Sequence, residues 1–207
     1  MLENKTIFIQ GMCYSGKTSV GTLLAQRLNT KFLDSRYIFY NYWKEYDLDY
    51  LKKYGKEKFQ NAEKESLQQD FNKQGIGVVA LSGSSLYLDS IMTSLYENKY
   101  NNIIILLNAS YDTILKRKSI DEAIYGHRPI VYPDSVNSFQ ELYDTRKSIY
   151  IKYSHLCVEI LDNDTKDDVV DLIIASIYTQ WPQLQPIQDD DDTRPSEDTD
   201  EPNISPM

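Results

Sequence analysis

The chain contains 207 residues, of which 41% are hydrophobic, so it is long enough to form one domain with a sizeable core. It has no run of about 18 apolar residues and no signal-peptide pattern at its beginning, so we expect a cytoplasmic protein without a membrane partner. Its formal net charge is −9, but eight acidic residues and one arginine lie beyond residue 188. The rest of the chain is nearly neutral, so a phosphate-bearing ligand needs only a local positive site. The tyrosine-rich segment 35–74 balances its basic residues with acidic ones, so we expect no nucleic-acid partner.

The residues Gly11–Thr18 match the phosphate-loop pattern G-x-x-x-x-G-K-[ST], and they lie between an apolar run and a helical pattern. The two glycines allow successive backbone N–H groups to point at one anion, at the positive end of the following helix. Lys17 is predicted to reach the β- and γ-phosphates of ATP, and the Thr18 hydroxyl is predicted to bind Mg²⁺. The predicted ATP-binding residues of this loop are Gly11, Cys13, Tyr14, Ser15, Gly16, Lys17 and Thr18.

Five predicted strands alternate with helical segments along the chain. The strands cover residues 5–10, 31–34, 76–81, 102–107 and 156–161. The helices cover residues 16–29, 35–74 with breaks near Asp47 and at Gly55, a segment after Ser85 that ends near Tyr96, 110–118, 135–153 and 167–178. This alternation predicts an α/β fold of three layers, in which helices cover both faces of a five-stranded parallel sheet.

Two features beyond the phosphate loop are candidates for the site. Asp34 ends the second predicted strand, where ligands bind in parallel sheets, so it is a candidate magnesium-binding and catalytic residue; a helix cap is the alternative. Residues 119–133 are polar and contain Gly126 and two prolines, and a connection of this length is typical of a lid over a binding site.

The end of the chain differs in composition from the rest. Residues 182–207 are rich in Pro, Asp, Gln and Glu and contain too few apolar residues to form a core, so we predict a disordered acidic tail after a domain of residues 1–181. Cys13 and Cys157 fit neither a disulfide framework nor a metal-binding spacing, and we expect both thiols to be reduced.

Several segments occur in the order found in shikimate kinases, the small P-loop kinases that phosphorylate the 3-hydroxyl group of shikimate. The chain resembles this family over residues 4–178. The segments that carry the resemblance are the phosphate loop, Phe32-Leu33-Asp34, residues 55–63, Ser82-Gly83-Ser84, and His127-Arg128-Pro129-Ile130 with Arg146 and Tyr150.

The resemblance implies ATP- and Mg²⁺-dependent phosphoryl transfer to a small hydroxylated acceptor by a monomer, with a lid. It implies that Lys17, Asp34 and Arg128 are catalytic and that Thr18 and Asp34 organise Mg²⁺. Arg117 is similar to the family's arginine that packs on adenine, and Arg128 to the lid arginine that closes over the transferring phosphate. Arg146 is similar to an arginine that binds the substrate carboxylate.

The chain also departs from the family pattern in the predicted substrate-binding residues, which are Arg36, Gln60, Gly83 and Arg146. Arg36 stands where the family has a second aspartate, its candidate base, and Gln60 stands where the family has another carboxylate-binding arginine. Ser82-Gly83-Ser84 replaces a run of three glycines. Shikimate kinase activity is the leading interpretation; the alternatives are a nucleotide-binding relative with impaired catalysis and a regulatory role, or a kinase for another small substrate, including a nucleotide or nucleoside.

Overall fold

The computed structural model describes residues 5–71, 77–125, 130, 133 and 135–185. Five strands form one sheet in the order β2-β3-β1-β4-β5, and every neighbouring pair is parallel. The strands are β1 (Thr6–Gln10), β2 (Phe32–Asp34), β3 (Val78–Ala80), β4 (Asn102–Ala109) and β5 (Leu156–Ile160). The predicted five-stranded parallel α/β fold is therefore confirmed.

Helices connect the strands on both faces of the sheet. They are α1 (Lys17–Arg27), α2 (Ser35–Trp43), α3 (Asp47–Tyr54), α4 (Lys56–Phe71), α5 (Asp89–Glu97), α6 (Tyr111–Tyr125), α7 (Phe139–Lys152) and α8 (Lys166–Gln180). The long helical segment predicted from residue 35 onward is indeed broken near Asp47 and at Gly55 into three helices. Helix α7 begins later than predicted because Ser138 caps it, with its Oγ accepting from the Glu141 N–H group at 3.1 Å.

The core has two parts, one on each face of the sheet. Side chains of a strand alternate between faces, so Ile7 and Ile9 of β1 pack on one side together with α1 and α8, whereas Phe8 packs on the other. On that second side, α5 supplies Ile91 and Met92. Because both faces are covered, β1 is buried at every position, as a central parallel strand requires.

The helix predicted over residues 110–118 ends too early, and the lid stays a prediction. Helix α6 continues through residues 119–125, where a loop was expected, because no glycine or proline interrupts it before Gly126. An ion pair between Lys118 and Glu122, one helical turn apart, stabilises this last part of the helix. Most of the remaining lid, which includes Arg128, lies outside the described residues.

The predicted tail also begins too early. Pro182–Leu184 form a turn of 3₁₀ helix after α8, and Leu184 is buried against the core on the α1 and α8 side. A single apolar side chain near the end of a helix is enough to hold this turn on the core. Residues 186–207 lie outside the described part of the chain. Among the described helices, none combines the length and the apolar character needed to span a membrane.

Candidate active site

The phosphate loop connects β1 to α1 at the carboxyl edge of the sheet. Tyr14 and Gly16 both adopt left-handed backbone conformations, with φ of 65° and 94°. Such alternation turns successive N–H groups toward one point and forms a concave anion-binding surface. Gly16 precedes the first turn of α1 and receives no side-chain cap, so the unpaired N–H groups of that turn are available to a phosphate.

Lys17 lies inside this loop. Its Nζ donates to the carbonyl oxygens of Gly11 at 2.9 Å and Met12 at 3.0 Å. Burial lowers the pKa of Lys17 to about 8. The ammonium group is therefore held by the carbonyl oxygens of the loop at the place where the sequence predicts phosphates, and a bound phosphate would supply the negative charge that favours its protonated form.

Asp34 joins the loop to the start of α2. The Thr18 hydroxyl donates to Asp34 Oδ2 at 3.0 Å, and the Arg36 N–H group donates to Oδ1 at 3.0 Å, so Asp34 does cap α2. Arg36 also reaches both carboxylate oxygens with its side chain, with Nε and Nη2 each at 3.2 Å. Burial alone would raise the pKa of Asp34, but the hydrogen bonds and charge of Arg36 outweigh it and lower the pKa.

The oxygens of Thr18 and Asp34 suit Mg²⁺, which prefers oxygen ligands. In the described parts of the chain, no group of three His, Cys, Asp or Glu side chains could hold a metal ion by itself. In the usual magnesium site of a kinase, one or two protein oxygens act together with the substrate phosphates. The capping role of Asp34 is thus compatible with the predicted magnesium role.

Arg146 projects from α7 to the opposite side of the site and is 2% exposed. Its Nε donates to the Tyr87 hydroxyl at 3.0 Å, and its guanidinium lies 5.4 Å from the centre of the Tyr87 ring. A Cβ atom on Gly83 would come within 2.6 Å of Arg146 Nη1. Gly83 therefore leaves the space that Arg146 occupies, which accounts for the one glycine kept between two serines.

The two serines take part in a buried polar cluster that sequence reasoning missed. Glu63 on α4 is 4% exposed, and its Oε1 accepts hydrogen bonds from the hydroxyls of Ser82, Ser84 at 2.9 Å and Ser85 at 3.2 Å. Burial raises the pKa of Glu63, and the serine hydrogen bonds oppose that change. Its spacing of one turn from two apolar positions, Phe59 and Leu67, was the available signal that it faces the interior.

Both sides open into one cavity of about 750 Å³. Of the predicted site residues, those lining it are Cys13, Tyr14, Gly16, Lys17, Thr18, Asp34, Arg36, Gly83, Arg117 and Arg146. Gly11 and Ser15 are buried within the loop, and Arg117 Nη1 donates to the Ser15 carbonyl oxygen at 3.5 Å. The half-buried Gln60 is not among the residues that line this cavity, and its role in binding the substrate stays a prediction. Asp47, Asp121 and Lys166 line the cavity without having been predicted.

A phosphate loop at the carboxyl edge of a parallel sheet, two side-chain oxygens that suit Mg²⁺ and a cavity with a buried arginine together fit a P-loop kinase of small molecules.

Comparisons with known proteins give the family. The sequence profile of the family described as shikimate kinase matches residues 14–178. The shikimate kinase of Oceanobacillus iheyensis is 28% identical over 185 residues, covering 89% of this chain and 96% of that protein. The shikimate kinase of Bacillus subtilis is 24% identical over 189 residues, covering 90% and 96%. The chain therefore belongs to the shikimate kinase family.

A solved structure supports the same fold. The shikimate kinase of Acinetobacter baumannii, in complex with shikimate, superimposes with a TM-score of 0.69 at 22% identity, covering 89% of this chain and 98% of that one. The family predicted from the phosphate loop, the lid motif and Arg146 is thus confirmed, and the comparisons favour a kinase over a relative that has lost catalysis.

Proposed function

We propose that the chain transfers the γ-phosphoryl group of ATP to a hydroxyl group of shikimate. The observation that carries the proposal is the single cavity lined by both Lys17 and the buried Arg146. A lysine inside a phosphate loop suits the phosphates of ATP, and a buried arginine suits the carboxylate of a small acid. Relatives that are named shikimate kinases and cover nearly the whole folded part supply the identity of the acceptor.

On the nucleotide side, Lys17 and the loop N–H groups hold the β- and γ-phosphates, and Arg117 packs on the adenine. Thr18 and Asp34 hold Mg²⁺, which when bound neutralises charge on the phosphates. The Arg36 side chain keeps Asp34 ionised and oriented for this role.

On the acceptor side, Arg146 binds the carboxylate of shikimate and so directs the hydroxyl toward the phosphate loop. Arg128, by its resemblance to the family's lid arginine, closes over the transferring phosphate and stabilises the charge that develops there. Most of the rate enhancement in such a site comes from positioning and charge neutralisation.

We further propose that the protein works as a monomer in the cytoplasm, with no nucleic-acid or membrane partner. The use of ATP and two free cysteine thiols, Cys13 and Cys157, support that compartment.

The experiment is the release of ADP from Mg-ATP with and without shikimate, with the Lys17→Ala variant as the blank. We expect shikimate to stimulate ADP release in the wild type and not in the variant. Tight binding of ATP without any stimulation by shikimate would contradict the proposed acceptor.

A further inference from the structure

Three of the described residues that line the cavity carry carboxylates, namely Asp34, Asp47 and Asp121. Asp34 is engaged by Thr18 and by the Arg36 side chain, which hold it on the nucleotide side. Asp121 lies on α6 in the electrostatic surroundings of Tyr14, a residue of the phosphate loop, and therefore also belongs to the nucleotide side. Of the three, Asp47 is the carboxylate that lies away from the nucleotide side of the cavity.

Asp47 is the first residue of α3 and is half-buried. Its Oδ1 accepts from the Leu48 N–H group at 2.9 Å, its own N–H group also helps to lower its pKa, and no side chain among the described residues donates to the carboxylate. The Arg36 guanidinium, the Asp34 carboxylate and Glu63 form its electrostatic surroundings. Burial raises the pKa of Asp47, and the charge of Arg36 acts in the opposite direction.

Phosphoryl transfer to an alcohol needs a group that orients the hydroxyl and receives its proton. Arg36 cannot do this, because a guanidinium carries only donors and stays charged. Asp34 is also unsuited, because the proposed function assigns it to Mg²⁺ and Arg36 holds its side chain in that place. Asp47 is a carboxylate in the same cavity to which none of the described side chains donates, and it fits the requirement.

We propose that Asp47 is the catalytic carboxylate that binds the acceptor hydroxyl and takes its proton, an assignment that rests on the proposed function. The hydroxyl oxygen of the acceptor forms a bond to the γ-phosphorus, and the bond from that phosphorus to the β,γ-bridging oxygen breaks. ADP leaves with the electron pair of the broken bond. The hydroxyl proton moves to Asp47 and is then released to solvent, so the products are the phosphate ester, ADP and one proton.

The test compares Asp47→Asn, Asp47→Glu and a matched control, Asp49→Asn. The amide side chain introduced by Asp47→Asn would keep the shape of the carboxylate and the acceptor for the Leu48 N–H group, but it could not take a proton. Asp49 lies in the same first turn of α3, is exposed, and faces Lys52 at 4.0 Å. For each variant, kcat, KM for shikimate, KM for Mg-ATP and the melting temperature are measured.

We expect Asp47→Asn to lower kcat by about a hundredfold or more, the usual contribution of a general base. Its KM for Mg-ATP should stay within about twofold, because the nucleotide side is intact. Asp47→Glu should recover part of the lost kcat, since it restores a carboxylate. Asp49→Asn should change every parameter by about twofold or less, as is usual for a surface substitution.

A kcat of Asp47→Asn within about threefold of the wild type would overturn the assignment of Asp47, since a general base contributes far more. A lower melting temperature with a parallel rise in both KM values, and no recovery in Asp47→Glu, would also overturn it by indicating a structural role. The failure of the proposed function looks different. In that case the wild type itself would show no turnover that depends on shikimate, and both proposals would be overturned together.

Discussion

The two halves of the cavity are built in different ways. The nucleotide half comes from one continuous segment, the phosphate loop of residues 11–18, with Asp34 beside it at the next strand end. The half proposed for the acceptor is assembled from Asp47 on α3, the connection after β3 and Arg146 on α7. Of the departures from the family pattern, Ser82 and Ser84 line the acceptor half, Arg36 contacts Asp34, and Gln60 does not line the cavity.

The substitutions in the acceptor half fit one another. Ser82 and Ser84 replace glycines where their hydroxyls reach the buried Glu63. Gly83, between them, is retained where a side chain would collide with Arg146. A buried carboxylate without partners would be costly, so the serines stabilise Glu63 in its interior position.

The largest effect is expected in the nucleotide half. Lys17→Ala should lower kcat by about a hundredfold to a thousandfold, as is typical when one group that stabilises transition-state charge is removed. Its stability should change little, because the two hydrogen bonds to loop carbonyl oxygens are lost together with a charge that is costly to bury. ADP release and thermal unfolding are measured, with Lys52→Ala on the exposed face of α3 as the control. Turnover close to wild type would exclude the phosphate loop from the reaction.

The next effect distinguishes the acceptor half. Arg146→Lys should raise KM for shikimate by about ten- to a hundredfold, since a hydrogen bond to a charged group contributes about 1.5–3 kcal/mol. KM for Mg-ATP should hardly change. Gly83→Ala should act in the same direction, because the new methyl group would displace the guanidinium of Arg146.

The two variants together test whether Gly83 works through Arg146. In the double variant the effect of Gly83→Ala should be much smaller than in the wild type, because the group that it displaces is gone. Steady-state kinetics with shikimate as the varied substrate measure this. Effects of the two changes that simply add would show that Gly83 has a separate role.

Truncation of the chain end, which lines neither half of the cavity, is expected to change stability alone. A chain that ends at residue 185 should melt at the wild-type temperature, whereas one that ends at residue 181 should lose stability, because Leu184 leaves the core. The expected loss is about 1.5–3 kcal/mol, the value of burying one leucine side chain. Urea unfolding of both truncated chains measures it, and equal midpoints would mean that Leu184 contributes nothing.

The nucleotide half could be predicted from the sequence more fully than the acceptor half. The nucleotide half follows from a local motif, because a strand, a glycine loop and a helix occur together in one stretch of the chain. Arg146 was singled out only by the family resemblance, since an arginine on a helix is ordinarily solvated, and its burial depends on Gly83 and Tyr87 from distant segments. Asp47 was visible only as a break between helices, and its place in the cavity arises from the packing of α3 against α4.

The errors at the ends of elements have similar causes. Residues 119–125 lack the glycine or proline that ends a helix, so the polar composition that suggested a lid did not stop α6. Leu184 is one apolar residue among polar ones, and no periodic pattern marks it. The end of α6 and the burial of Leu184 both depend on contacts in the folded chain that cannot be predicted from amino-acid composition.

The smallest effect concerns Glu63, which is buried behind the acceptor half. Burial raises the pKa of Glu63 in the folded protein above its pKa in the unfolded chain. At a pH between these two pKa values, Glu63 is protonated in the folded protein and ionised in the unfolded chain. The stability of the wild type should therefore fall as the pH rises through this window. Glu63→Gln cannot titrate, so its stability relative to the wild type should increase over the same window and then become constant.

Urea unfolding of both proteins from acidic to neutral pH measures this difference, and Glu65→Gln on the exposed face of α4 is the matched control. The control should show no such trend relative to the wild type. A difference between Glu63→Gln and the wild type that is flat over this range, or that shrinks as the pH rises, would mean that the serine hydroxyls outweigh burial. In that case the three hydrogen bonds from Ser82, Ser84 and Ser85 would keep Glu63 ionised. A buried negative charge would then lie next to the acceptor half over the whole pH range measured.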